Sequence, residues 1–190
     1  MNRVGDNVLE KLRTKVKEPK AKDIGHVRTP REDAEPKLYL HDGKPMLPGE
    51  NLMACLIAAG VFVRLDAKRQ ISTGKSTILP GLMSMLDFAL PLVDPDNDKK
   101  AVAWEPDVRK GVNPNGNEAV CIVRPRFDRW AFHVRIELDD AEIGENTIRQ
   151  LWDLAGKRVG LCDFRPARKG VFGKFVVERW DRVEHSAAAE

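Results

Sequence analysis

Ala131-Phe-His-Val-Arg-Ile-Glu-Leu138 alternates apolar and polar residues, and Glu145-Asn-Thr-Ile-Arg-Gln-Leu-Trp-Asp-Leu-Ala155 follows it with a period near 3.6. In the first stretch Phe132, Val134, Ile136 and Leu138 share one face of a strand, leaving His133, Arg135 and Glu137 on the other. In the second, Ile148, Leu151, Trp152 and Ala155 line one side of a helix that Gly156 is expected to end. Arg158–Phe164 and Val171–Arg179 read as closing strands. Upstream, Ala119–Arg124 reads as a strand joined to Ala131–Leu138 by Pro125-Arg-Phe-Asp-Arg129. A similar series occupies the first half. Lys37–His41 reads as a strand turned by Asp42-Gly-Lys-Pro45, and Pro48 and Gly49 open a helix with Leu52, Cys55, Leu56 and Ala59 on one face. Gly60 is a suitable terminator, and Val61–Leu65 reads as a short strand. The order strand, helix, strand, strand, helix, strand predicts an α+β fold, ferredoxin-like or RRM-like (βαββαβ). A long insertion over about 66–118 and an added C-terminal strand complete it.

Within that insertion, residues 78–93 fit either helix or strand, because Pro80 and Pro91 restrict the apolar spacing of Leu82, Met85, Leu86 and Ala89. Residues 94–116 are rich in Pro, Asn, Asp and Gly and read as an irregular excursion. Residues 1–36 read as a basic arm in which Val8, Leu9, Leu12 and Val16 form one face of a short helix. The main domain is expected over 37–182, with a tail at 183–190.

The chain has 190 residues, 42% of them apolar and 32% charged, enough for a core and too apolar for wholesale disorder. No apolar run approaches the ~18 residues of a membrane span. The first residues carry no apolar signal region, so a cytoplasmic location is expected. Cys55, Cys121 and Cys162 show no paired spacing and read as reduced, mostly buried thiols. The positive charge is localised: Met1–Arg31 has nine Lys or Arg against four Asp or Glu, and the rest has 23 against 25. A second basic segment, Gly156–Lys174, holds Lys157, Arg158, Arg165, Arg168, Lys169 and Lys174 against Asp163 alone. Clustered cations of this kind attract phosphate backbones.

Several motifs imitate known sites without their decisive residues. Gly74-Lys75-Ser76 has Arg69 where a phosphate-binding loop needs glycine. Asp94, Asp96, Asp98 and Glu105 have calcium-loop spacing, but Lys99 occupies the position where the sharp turn requires glycine. The four histidines are scattered away from the cysteines, so neither a metal nor another cofactor is predicted. His41 and Asp42 are the weak candidates for acid–base chemistry, with a strand end and turn as the simpler explanation.

Two connections fit nucleic acid better. Arg124, Arg126 and Arg129 stand beside Phe127 and Trp130, a combination that grips phosphates and stacks bases, or else caps a core while the arginines pair with acids. The second is Gly160–Phe175, where Arg165, Arg168, Lys169 and Lys174 accompany Gly160, Gly170 and Gly173, and main-chain amides are available to cradle a sugar-phosphate chain. If both connections touch one strand, they must lie together in the fold.

Lys44-Pro-Met-Leu-Pro-Gly-Glu-Asn-Leu-Met-Ala-Cys-Leu56 resembles the "Pro-x-x-x-Leu-x-x-x-Leu" helix opening of the RAMP superfamily, the RNA-binding subunits of CRISPR effector complexes. Gly160–Phe175 looks like their C-terminal glycine-rich loop, although Cys162 stands where a glycine is expected. A closer resemblance is to an uncharacterised family carried by phages and prophages. It shares a "Pro-x-x-Pro-x-x-x-Leu" element, an Arg-Pro-x-Phe turn, and an ending like Ala155-Gly-Lys-Arg-Val-Gly-Leu-Cys-Asp-Phe-Arg-Pro166. The resemblance covers about Pro36–Arg179. It implies a non-catalytic protein that binds RNA or single-stranded DNA and self-associates or joins a multisubunit complex in a bacterial host cell. The binding residues expected are Arg124, Arg126, Arg129, Trp130, Arg165, Arg168, Lys169 and Lys174. The alternatives are a phage assembly or protein-interaction protein, and a RAMP-like ribonuclease using His41 or Asp42.

Overall fold

A computed structural model describes residues 28–112 and 119–183. The expected helix at Val8–Val16 and the tail beyond Val183 lie outside the described residues. The fold is mixed α+β, with several small antiparallel sheets and two principal helices. In chain order these are α1 (Pro30–Ala34), β1 (Leu40–His41), β2 (Lys44–Pro48), α2 (Gly49–Ala59), α3 (Leu79–Leu82), β3 (Met83–Met85) and β4 (Ala89–Pro91). After them come β5 (Val93–Asp94), β6 (Asn97–Ala101), β7 (Glu105–Val112), β8 (Ala119–Arg126), β9 (Ile136–Leu138) and α4 (Glu145–Leu154). The ladders run β1-β2-β4, β3-β9, β5-β6 and β7-β8. No helix among the described residues is long and apolar enough to cross a membrane.

Helix α2 forms as its spacing predicts. Pro48 holds the extended N-cap conformation, and Leu52, Cys55, Leu56 and Ala59 are buried on one face. Its end differs from the expectation. Gly60 stays right-handed (φ −58°) and continues into a 3-10 turn over Gly60–Phe62, so Val61–Leu65 is not a strand apart from one bridge between Arg64 and Gln70. Glycine is required there because a Cβ would strike the Ser72 side chain.

Helix α4 buries Ile148, Leu151 and Trp152 against the same core, and Glu145 pairs with Arg149 one turn later at 2.6 Å. It does not stop at Gly156. A π turn over Ala155–Val159 extends it to Gly160, whose φ of +73° ends the winding. At Gly156 the Phe175 carbonyl lies where a Cβ would be, so the glycine serves close approach rather than termination.

The expected closing strands at Arg158–Phe164 and Val171–Arg179 form no ladder; the first is turn and loop. Alternation persists in the second, where Phe175, Val177 and Trp180 pack on the core and Val176 faces solvent. Trp180 meets Trp152 edge to face at 6.2 Å, beneath the Arg149 guanidinium at 5.2 Å.

Residues 79–92, placed by the sequence inside the insertion, supply Leu79, Leu82, Met83, Met85, Leu90 and Leu92 to the core. β3 pairs with β9 and β4 with β2, so this segment is framework. The excursion read as irregular is a pair of strands, β5 and β6, followed by β7. β8 pairs with β7 over its whole length, not with the segment after Trp130. β7 escapes a hydrophobic reading because one of its faces carries Glu105, Asp107, Arg109 and Gly111.

Residues 29–37, assigned by sequence to the arm, are part of this structure. Thr29 and Glu32 form a reciprocal capping box, with the Thr29 amide donating to Glu32 at 2.7 Å and the Glu32 amide donating to the Thr29 hydroxyl at 3.3 Å. α1 packs on β7 and β8, burying Ala34, and Lys37 Nζ donates to the Val123 carbonyl at 2.8 Å. The cysteines also differ from expectation: Cys55 is buried, but Cys121 and Cys162 are exposed.

Candidate nucleic-acid interface

The register of the β7–β8 ribbon places Glu105 opposite Arg126, Asp107 opposite Arg124, and Arg109 opposite Ile122 on one face. This face turns toward the loop after α4. Arg124 Nε reaches Asp163 Oδ2 at 2.9 Å, across 39 residues of chain. The Arg109 guanidinium lies 4.4 Å from the Phe164 ring centre and 4.3 Å from that of Phe172, held from behind by Asp107. The two arginine-bearing connections therefore share one surface.

Their charges are in different states. In the first, every arginine meets carboxylates: Arg124 meets Asp163, and Arg129 meets Asp96 at 2.9 Å. Arg126 meets Asp128 at 2.7 Å, Glu105 at 3.4 Å and Asp107 at 3.9 Å. The hydrogen bond from Asp128, with its charge and those of Glu105 and Asp107, pushes the Arg126 guanidinium above its ordinary range. Asp96 does the same to Arg129. Trp130 is half-buried against the core, its ring nearly parallel to that of Phe132 at 6.0 Å. This is the ion-paired, core-capping alternative weighed for that stretch.

In the second connection, Arg165 Nη1 donates to the Cys162 carbonyl at 2.8 Å. Arg168, Lys169 and Lys174 are exposed and form no ion pair among the described residues; the same holds for Lys157. Arg158 lies 4.9 Å over the Phe62 ring.

The loop that presents these cations is folded on its own backbone. The Leu161 amide donates to the Gly173 carbonyl at 2.8 Å, the Gly170 amide to Arg165 at 3.0 Å, and the Phe172 amide to Phe164 at 3.0 Å. Gly170 lies against the Phe164 carbonyl and Gly173, at φ +67°, against that of Leu161, so neither position has room for a Cβ. These amides close the loop and do not face a ligand, which corrects the expectation of a main-chain cradle at those positions. Cys162, Phe164 and Lys169 also have positive φ (60°, 52° and 62°), an unusual concentration for residues with side chains.

The other candidates are dispersed. His41 Nε2 and Asp42 Oδ2 are 3.6 Å apart on the exposed β1–β2 turn, where Asp42 takes φ 50°. Asp94, Asp96, Asp98 and Glu105 face Lys100, Arg129, His133 and Arg126 respectively. Gly74-Lys75-Ser76 closes a tight turn in which the Lys75 and Ser76 amides donate to the Thr73 hydroxyl.

Sequence reasoning missed Arg109, Asp163, Phe164 and Phe172, the groups that join hairpin to loop. The available signal was an arginine on a strand with no apolar alternation, together with two aromatics inside a glycine-rich segment. No family model matches the chain, and neither does any curated protein or solved structure.

Proposed function

We propose that the protein binds RNA or single-stranded DNA without cleaving it, through the exposed cations of the loop after α4. The observation that carries this reading is the contrast within one surface: Arg168, Lys169 and Lys174 are held outward by a closed, glycine-dependent loop and lack acids, while the arginines beside them are engaged. Fixed cations without internal partners can exchange counterions for phosphates at little structural cost. Arg124, Arg126 and Arg129 then serve as supports that dock the hairpin, and Trp130 packs rather than stacks on bases. The resemblance of Lys44–Leu56 and Gly160–Phe175 to RAMP elements supports the same reading, with self-association along a strand in a bacterial host cell.

The ferredoxin-like reading belongs to this proposal. It takes β2, α2, β3, β9, α4 and the extended chain after Gly173 as the βαββαβ series, with residues 86–135 inserted between β3 and β9. Adjacent packing of α2 and α4, and the antiparallel β3–β9 pair, support it.

The test is direct. Purified protein should carry nucleic acid, read from the 260/280 nm absorbance ratio, and should retard single-stranded oligonucleotides at low salt. A clean protein ratio with no retardation of any oligonucleotide would overturn the reading. Assemblies of fixed size by light scattering, formed without nucleic acid, would point instead to an assembly protein. Cleavage abolished by His41→Ala or Asp42→Ala would point to a ribonuclease.

A further inference from the structure

The excursion between Phe62 and Leu79 builds a second basic surface. Two turns close on themselves. In the first, Asp66 Oδ1 accepts the Lys68 and Arg69 amides at 2.8 Å each, Asp66 Oδ2 accepts Arg69 Nε at 2.6 Å, and Arg64 Nη1 donates to the Ala67 carbonyl at 3.0 Å. In the second, the Ser72 and Thr77 hydroxyls meet at 2.8 Å beneath the Thr73–Ser76 turn. Gln70 Nε2 ties the pair to the Val61 carbonyl at 3.3 Å.

Between these turns lies an open groove of about 430 Å³ lined by Arg64, Lys68, Arg69, Gln70, Thr73 and Ile78. Its balance is positive. Asp66 is engaged by Arg69 and two amides, and the charge of Glu142 also reaches Arg69. Arg64 and Lys68 have no acidic partner among the described residues. Ile78, 41% exposed, gives the groove one apolar wall. Cations at one side and an apolar wall at the other match an amphipathic anion, and the volume lies in the range of small-ligand clefts, ~300–1,000 Å³.

We infer that this groove holds one nucleotide unit of the bound strand, its phosphate at Arg64 and Lys68 and its sugar or base against Ile78. The inference rests on the proposed nucleic-acid function and extends it to a second contact. Continuity comes from Arg158: it belongs to the π turn that leads into the cationic loop, and its guanidinium covers Phe62, two residues before Arg64. The strand that touches Lys169 and Lys174 is thus led past Arg158 to the groove.

The experiment uses the full chain and fluorescein-labelled single-stranded oligonucleotides, with titrations at several salt concentrations. Arg64→Ala/Lys68→Ala should weaken binding severalfold and flatten the salt dependence by about one unit. Ile78→Ala should weaken binding without changing that dependence, because it removes no charge. Lys68→Glu, at a side chain with no internal contact, repeats the charge test without disturbing the Arg64 hydrogen bond. Parental affinity and salt slope in Arg64→Ala/Lys68→Ala and Lys68→Glu, alongside lost binding in Arg168→Ala/Lys169→Ala/Lys174→Ala, would overturn the groove and leave the function standing. A parent protein that binds no oligonucleotide overturns both.

Discussion

The Arg124–Trp130 turn and the Lys157–Lys174 loop offer similar side chains to the same surface, and they differ in what stands opposite. The turn lies beside a ribbon whose register brings Glu105 and Asp107 to it, and Asp128 and Asp96 complete the pairing. The loop has Asp163 as its only acid, and Arg124 has taken it. A count of arginines therefore overstates the charge available to a ligand. What matters is how many cations remain after the fold has matched them with its own carboxylates, and the matching is set by strand register.

The largest effect expected from breaking this contrast is on the loop's shape. Gly170→Ala or Gly173→Ala forces a Cβ onto a carbonyl, the second at positive φ as well. A loss of about 3 kcal/mol or more is expected in denaturant unfolding, since neither backbone contact can yield as a flexible side chain would. Nucleic-acid binding should fall with it although every loop cation is still present. Binding that survives in a folded Gly170→Ala variant would show that charge alone suffices.

Next is the comparison of the two sets of cations. Arg168→Ala/Lys169→Ala/Lys174→Ala should lower affinity at every sequence tested and flatten the salt slope by roughly two units, the value for three phosphates on a single strand. Its melting temperature should stay within about 2 °C of the parent, because the side chains have no internal partners. Arg126→Ala should do the opposite, leaving affinity and slope alone while lowering thermal stability, because Asp107 and Asp128 lose their partner. If Arg126→Ala weakens binding as much as the loop variant, the distinction between supporting and binding arginines fails.

Parts of this arrangement were legible in the sequence and parts were not, for physical reasons. The two helices declared themselves because Leu52–Ala59 and Ile148–Ala155 each bury one stripe. The glycines near their ends were read as terminators, yet Gly60 and Gly156 are there for Ser72 and Phe175, partners distant in the chain. β7 was invisible because its stability comes from a cross-strand partner and opposed charges, not from its own hydrophobic alternation. The loop cations were found from composition. That Arg124, Arg126 and Arg129 are matched to acids depends on tertiary placement, which no local pattern records.

Alkaline pH offers a further, smaller probe of the region behind the loop. Burial pushes the Cys55 thiol up to about 12, against a partial opposing pull from Arg165, and its Sγ lies 3.7 Å from the Ala155 carbonyl at the start of the π turn. The unfolded thiol ionises near 9.0. Between these values the unfolded chain binds fewer protons than the folded one, so folding stability should fall as pH rises, by up to ~1.4 kcal/mol per unit from this group. Below pH 9 the group should have no effect on the pH dependence. Cys55→Ala should remove that slope from an unfolding series between pH 9 and 11, at the expense of a lower baseline from the lost packing. An unchanged slope would assign the alkaline sensitivity to other groups.

The smallest effect tests the position where the sequence departs from the RAMP-like pattern. Cys162 takes φ 60°, a left-handed conformation that costs a side-chain residue roughly 1–2 kcal/mol and costs glycine almost nothing. Part of that gain is returned because glycine has more freedom in the unfolded chain, ~0.5–1 kcal/mol. Cys162→Gly should therefore stabilise the protein by up to about 1 kcal/mol, with oligonucleotide affinity and salt slope unchanged, since the residue contributes no charge. The Arg165 hydrogen bond to the carbonyl at 162 uses the backbone and survives the change. A destabilised Cys162→Gly variant would mean that packing of the cysteine side chain outweighs its backbone strain. A stabilised variant with weaker binding would mean that the strained loop conformation itself positions the cations, extending the difference between turn and loop from charge to geometry.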